Sequence, residues 1–354
     1  SKKELLATSV EFIDQLENRQ APSAELIGVI WDRSEKDRAS GSLGPWMRRG
    51  QLDEKYGRGQ WRPLIRFAIW QEGGMKWRCI DDAKASMQNA AHEATERIHT
   101  TSTLMAISVV RRLRQLIGAP LVGPFGVLNG TEDMEDAYHK VPRADADANV
   151  TIIAIWHPLW ECWAYSESVT MLFGLSPAVL HFNRLPAFIV AVARRWLALP
   201  VISFFDDFRT FDLQMASPSV ARWLRRIMEW LGWSFSDRKR YEPNVSVPFL
   251  GVVEDYSVAA DDWVHLRPKE GRQEAIHKIV GDMYKRKRVS SGEALSLRGK
   301  WLHLCTTIPG RMARGHLFGL NDACTWDTPS WSPQLDHALC FMDAVMKLPI
   351  GRWI

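Results

Sequence analysis

Little in this chain marks a secreted, membrane-spanning or disordered protein. Only five cysteines occur in 354 residues: Cys79, Cys162, Cys305, Cys324 and Cys340. Their number is odd, they lie far apart, and no pair has zinc-ligand or redox spacing, so free thiols in a reducing compartment are expected. The start, Ser1-Lys2-Lys3-Glu4, lacks the apolar run of a signal peptide. The most membrane-like stretch, Leu185 to Phe205, is interrupted by Arg194 and Arg195 and runs into two aspartates, charges that are expensive in hydrocarbon. A soluble intracellular chain with no membrane partner, nuclear or cytoplasmic, is the expectation. An excess of one charge is also missing. Lys plus Arg number 45 against 41 Asp plus Glu, and the net charge of +4 permits nucleic-acid binding without demonstrating it. Internal repeats and low-complexity tracts are absent.

What is present suits a globular protein of two or three lobes: 46% hydrophobic and 24% charged residues, with seventeen tryptophans to pack cores or stack on bases. Residues 1–40 have helical spacing, Gly41 to Gly59 reads as a loop, and Pro63 to Trp70 with Lys76 to Ile80 reads as a hairpin split at Gly73-Gly74. Met87 to Leu116 has helical spacing. Val150 to Trp156 and Trp160 to Ala164 suggest a second hairpin, and Ser176 to Leu197 a long helix. Val201 to Phe205 and Phe208 to Leu213 read as strands around an Asp-Asp turn, Ala221 to Leu231 as an amphipathic helix, and Val247 to Val253 as a strand. Beyond Pro268 the pattern is helical to about Thr307 and then irregular. Several folds permit this order.

Two acidic clusters carry the chemistry. In Phe204-Phe205-Asp206-Asp207-Phe208 a tight strand–turn–strand would place two carboxylates near one edge, where a magnesium ion relieves their repulsion; an exposed hairpin turn is the plainer reading. In Asp133-Met134-Glu135-Asp136-Ala137-Tyr138-His139-Lys140-Val141-Pro142, strand alternation points Asp133 and Tyr138 to opposite faces unless the chain bends; an acidic surface loop is the alternative.

Taken in order, these stretches resemble the palm motifs of reverse transcriptases of retrotransposon type. Asp133 to Pro142 resembles the first motif. Phe173-Gly174-Leu175-Ser176-Pro177-Ala178, followed by Phe182 and Arg184, resembles the second. Phe204 to Asp207 is similar to the third, Leu231-Gly232 with Lys239 to the fourth, and Phe249-Leu250-Gly251 to the primer grip. Upstream, Lys76-Trp77-Arg78-Cys79-Ile80-Asp81-Asp82 is similar to a finger strand, and downstream Leu297-Arg298-Gly299-Lys300-Trp301 to a thumb segment. The match covers roughly residues 60–310.

The resemblance implies an α+β right-hand polymerase with fingers, an antiparallel-sheet palm and a helical thumb. It divides the chain into an N-terminal extension and fingers at 1–120, a palm at 121–255 with a finger hairpin near 145–170, a thumb at 256–320, and the start of a connection segment at 321–354. It implies RNA-directed DNA polymerase activity, a primer 3′ hydroxyl attacking a dNTP with two Mg2+ ions about 3.5–4 Å apart, Mn2+ substituting. Asp133, Asp206 and Asp207 would be catalytic, with Asp133, the Met134 carbonyl and Asp206 holding metal. Arg78, Asp136, Ala137, Tyr138, Phe173, Gly174 and Lys239 would meet the nucleotide, Tyr138 screening the 2′ position and Lys239 facing the pyrophosphate; a plain core aromatic and a solvated basic turn are the alternatives. Phe249, Leu250 and Gly251 would grip the primer.

Arg48, Arg49, Arg58, Arg62 and Arg66, with Lys285 to Arg288, would follow an RNA or DNA template with its primer, or be solvated faces. One departure stands out: the finger tip reads Gln71-Glu72-Gly73-Gly74-Met75, and Lys76 sits beside Trp77 where a lysine several residues earlier is usual. A second reading is therefore a domesticated, reverse transcriptase-derived nucleic-acid-binding or scaffold subunit with weak or no catalysis. Additional protein partners, or a ribonuclease H domain outside this chain, complete the expectations.

Overall fold

The computed structural model describes residues 1–71, 75–93, 96–102, 104–310 and 312–354. The finger-tip departure at residues 72–74 lies outside the described residues. Helices α1 (Lys2–Ala7), α2 (Ser9–Glu17), α3 (Ala24–Ala39) and α4 (Arg49–Tyr56) precede strands β1 (Pro63–Gln71) and β2 (Lys76–Asp82). Helix α5 (Leu104–Ile117) leads to β3 (Val127–Asp133), the hairpin β4 (Ile152–His157) and β5 (Cys162–Glu167), and helix α6 (Ser176–Leu197). Then come β6 (Val201–Phe204), β7 (Asp207–Leu213), α7 (Ser219–Trp230), β8 (Tyr241–Asn244), β9 (Ser246–Phe249), β10 (Val252–Asp255) and β11 (His265–Pro268). The chain ends in α8 (Arg272–Arg286), α9 (Ser291–Leu304), α10 (Met312–Gly315), α11 (Phe318–Ala323), α12 (Pro333–Met346) and β12 (Arg352–Trp353).

Two compact units emerge: residues 1–99 with 134–189, and residues 100–133 with 190–354. The first holds a sheet in the order β2-β1-β4-β5, with β1 parallel to β4 (Leu64 opposite Ile153) and the other pairs antiparallel. Strand alternation sorts its residues between two cores. Ile65, Ile152 and Ala154 pack with Ile13, Leu16 and Trp61, while Leu64, Ile153 and Ile155 pack with Ile30, Leu172 and Leu175.

The second unit holds two sheets, β6-β7-β3-β8 and β12-β11-β10-β9. Ile107, Val110, Val127, Ile202, Phe211, Phe249, Val252 and Leu266 form one core, and Ile276, Val280, Leu297, Trp301, Leu320, Leu339 and Met342 of the helical tail another. Helix α7 shows why such segments are helical. Val220, Ala221, Leu224, Ile227 and Met228 form a buried stripe at helical spacing, while Arg222, Trp223, Arg226 and Trp230 face outward.

Four sequence expectations need correction. Among the described residues, Met87 to Leu116 is α-helical from Leu104 and holds a single 3-10 turn at Asn89–Ala91 before it, because the Asp82 carboxylate accepts the Lys84 and Ala85 N–H groups and Met87 has φ +70°, a turn chemistry that outbids the apolar spacing. Gly41 to Gly59 contains α4, where the Gln51 side chain accepts the Arg48 N–H. Val247 to Val253 is a hairpin, since Leu250 (φ +50°) and Gly251 (φ +74°) turn the chain. The tail beyond Thr307 is largely helical, with α12 capped by the Ser332 hydroxyl and Pro333 in its first turn. Helix α6 matches its expected bounds. By length and composition it is long and apolar enough to cross a membrane, although it carries Arg184, Pro186, Arg194 and Arg195.

Candidate functional site

The second unit brings the acidic residues onto neighbouring strands. Asp133 ends β3 directly opposite Asp207, the first residue of β7, and Asp206 lies in the turn from β6. Phe205 in that turn has φ +54°, an unusual conformation for a bulky side chain and one that concentrates at functional sites. Burial and the charge of Asp133 raise the Asp206 carboxyl above its ordinary value, against its backbone N–H and Lys239. Burial and the charges of Asp206 and Asp133 push Asp207 up to about 6. Three carboxylates thus share one field.

Lys239 answers it. Its Nζ donates to both oxygens of Asp133, at 2.6 and 2.9 Å, and the Ser236 N–H donates to the Asp133 carbonyl at 2.8 Å. The basic turn is itself braced. Arg225 of α7 donates to both oxygens of buried Glu132 (2.9 and 2.7 Å) and to Asp237 (2.8 Å), and Arg240 lies 3.1 Å from Glu132. Strand alternation separates the duties of Glu132 and Asp133. One holds the scaffold and the other faces the site.

A cavity of about 400 Å³ collects Asp133, Asp207, Arg238, Lys239, Tyr241, Phe249, Leu250, Gly251 and Lys269. Carboxylates, the basic turn and the Phe249-Leu250-Gly251 stretch therefore meet in one cavity. Sequence reading missed Tyr241, Lys269 and the braces of the Leu250-Gly251 turn: His303 Nε2 donates to the Leu250 carbonyl at 2.6 Å, and Arg272 lies 3.5 Å from the Gly251 carbonyl. Gly251 is needed for its positive φ, and a Cβ there would also push aside the Arg272 guanidinium. Only apolar-basic texture announced these partners.

The donor chemistry of three mutually repelling carboxylates suits a hard divalent cation. As arranged, no group of three or more His, Cys, Asp or Glu side chains among the described residues is set to hold a metal, and Asp133 is given over to Lys239.

The expected nucleotide-side residues lie in the first unit, apart from Lys239. Asp136 has φ +47° and Ala137–Lys140 form a single 3-10 turn, the bend that ends strand alternation after buried Met134. Tyr138 stacks on Phe182 (centroids 4.6 Å apart) and meets Phe173 edge-on at 5.3 Å, against the core containing Leu64 and Leu172. Gly174 (φ +121°) has no room for a Cβ beside the Asp81 carbonyl, and its own carbonyl accepts from Asn89 at 2.9 Å. Arg78 pairs across the hairpin with Ile69. Phe173 is exposed.

Several basic residues expected along nucleic acid serve the fold instead. Arg66 is buried between Asp81 (2.7 Å) and Asp37 (2.8 Å), and Arg62 donates to the carbonyls of Ser86 and Thr8. Arg49 bridges Asp14 and Glu17. Lys287 pairs with Asp336 at 2.6 Å and lies over the Tyr284 and Trp331 rings. Arg58, Lys285 and Arg288 remain exposed.

No protein-family model matches this sequence, and no curated protein matches it either. Among solved structures, the chain is similar to the foamy viral protease–reverse transcriptase (dRH) in complex with double-stranded DNA, with a TM-score of 0.61 at 12% identity over 93% of this chain. This chain spans 50% of that chain's length. At this identity the likeness is one of fold: an α+β architecture of the reverse transcriptase type.

Proposed function

We propose that this chain is a reverse transcriptase-derived protein that binds nucleic acid at the mixed-charge cavity around Lys239, with catalysis weak or lost. The observation that carries this reading is the two-pronged Lys239–Asp133 contact, in which an ammonium takes both oxygens of the carboxylate a polymerase would offer to metal. Arg238 and Lys269, beside the paired Lys239 and the carboxylates of the same cavity, offer the positive charge that would meet phosphodiesters. The solved protein with the similar fold was captured on double-stranded DNA, and that partner class is carried over here.

A second reading has a specific observation behind it. The shared field that raises Asp207 to about 6 is what a cation would relieve, and Asp133, Asp206 and Asp207 would supply its oxygen ligands for templated DNA synthesis. Bound magnesium would supply charge neutralisation at the reacting phosphate. The division into fingers, palm, thumb and connection belongs to both readings.

Primer extension on RNA and DNA templates with Mg2+ or Mn2+, compared with Asp206→Asn, separates them. Binding that weakens steeply between about 50 and 200 mM salt, with no extension above the variant, supports the binding protein. Extension abolished by the substitution establishes the polymerase instead.

A further inference from the structure

A cavity of about 650 Å³ in the second unit is lined by no residue of the motif stretches. It lies among α5, the end of α6, strands β6 and β7 and the start of α7. Its volume falls within the roughly 300–1,000 Å³ usual for small-molecule sites. Val109, Leu113, Val201, Ile202 and Phe211 give it apolar walls, and Leu116, 65% exposed, leaves an apolar lip in solvent. Two cations complete the lining. Arg194 donates from Nε to the Val201 carbonyl at 2.7 Å, which holds its guanidinium against the wall; burial lowers that group's pKa, and no acid raises it again. Arg112 is exposed and makes no hydrogen bond or ion pair with any described residue. The other polar side chains of the wall are taken. Ser108 has a partner, and Asp212 accepts at Oδ1 from the Ser219 hydroxyl (3.3 Å) and the Val220 N–H (3.2 Å) where α7 begins. The second oxygen of Asp212 is enclosed, burial raises its carboxyl, and it pairs with neither guanidinium.

We infer that this cavity binds a free long-chain carboxylate, its hydrocarbon tail against the apolar walls and its head at Arg112 and Arg194. The chemistry selects that ligand class. Walls whose uncharged and acidic side chains are already bonded offer a ligand body only apolar contact, so that body is hydrocarbon; a polar one would lose its hydration without return. Two guanidiniums without an acid partner ask for one anionic head, and a carboxylate matches the planar fork of each. At Arg194 burial has already removed part of the competing water, so an anion there gains more than at an open surface. A neutral lipid would leave both cations unanswered, and an alkyl ammonium would be repelled. The cavity shares no lining residue with the one around Lys239, so the inference stands apart from the nucleic-acid reading.

The test uses the full chain, with dodecanoate below its micelle concentration as probe in titration calorimetry. Acetate is the control without a tail, and dodecyltrimethylammonium the control with the same tail and the opposite charge. The wild type should bind one dodecanoate per chain and neither control. Arg112→Gln and Arg194→Gln should each weaken dodecanoate about 10-fold, the loss of one charge-assisted hydrogen bond. Val109→Trp, which fills the cavity, should abolish binding and also the rise in melting temperature that dodecanoate gives the wild type. Arg112 is exposed, so Arg112→Gln folds and keeps the inference testable if Val109→Trp does not. No dodecanoate binding by the wild type, equal binding of the two twelve-carbon amphiphiles, or unchanged dodecanoate affinity in both arginine variants overturns the inference. A duplex titration on the same variants should match the wild type, because none of them touches the Lys239 cavity.

Discussion

Asp207 pays for its position, and the sign of that cost is measurable. Its carboxyl titrates at about 6 in the folded chain against an ordinary 3.8, so folding favours the protonated form. The associated stability is fully present below pH 3.8 and is lost as pH rises through 6. Asp207→Asn should therefore stabilise the chain at pH 7.5 by about 1 kcal/mol, discounted because solvent reaches the group, and change nothing at pH 3.5; thermal melts at the two values check it. Lys239→Met should do the reverse, costing about 1–2 kcal/mol by leaving buried Asp133 unpaired. Adding Asp133→Asn should recover most of that loss in a double-mutant cycle. The three aspartates were legible because carboxylates between apolar strands are costly without a purpose. The Lys239 pairing was not, since its partners are 106 positions apart and the basic trio at 238–240 gives no hint which member turns inward. For the same reason Arg62 and Arg66 looked like surface cations: sequence shows a charge but not the acids and carbonyls that will surround it.

Among the elements, the turn between β9 and β10 is the most exacting. Gly251→Ala should cost about 1–2 kcal/mol in urea unfolding, chiefly through its positive φ, and should shift the Arg272 guanidinium at the turn without touching a carboxylate. Helices α6 and α7 and strands β6 and β7 were readable in advance, because long periodic runs bounded by turn residues leave one solution. The start of α5 and the β9–β10 turn were not, because side chain-to-backbone hydrogen bonds at Asp82 and a left-handed Leu250 decide them. The α12 helix was hidden behind a Trp- and Pro-rich lead-in, although Ser332-Pro333 is a good start signal.

At the scale of the molecule, each unit carries its own cores, so damage should stay local. Trp301→Ala removes a fully buried indole that donates to the Ala313 carbonyl at 2.7 Å, and should cost about 3–5 kcal/mol. Hydrogen exchange should then accelerate across α8 to α12 while amides of β1 and β4 keep their protection; uniform acceleration across both units would count against this independence. The α+β class was legible from the motif resemblance, but the partition into two units was not, because neither follows a continuous stretch of sequence. That discontinuity bears on synthesis. Strand β1 pairs with β4, so the leading ninety-nine residues must wait on the ribosome, with an apolar sheet edge uncovered, until the segment ending at residue 189 has emerged. A nascent chain stalled before that point should be a strong client for chaperones that hold exposed strands.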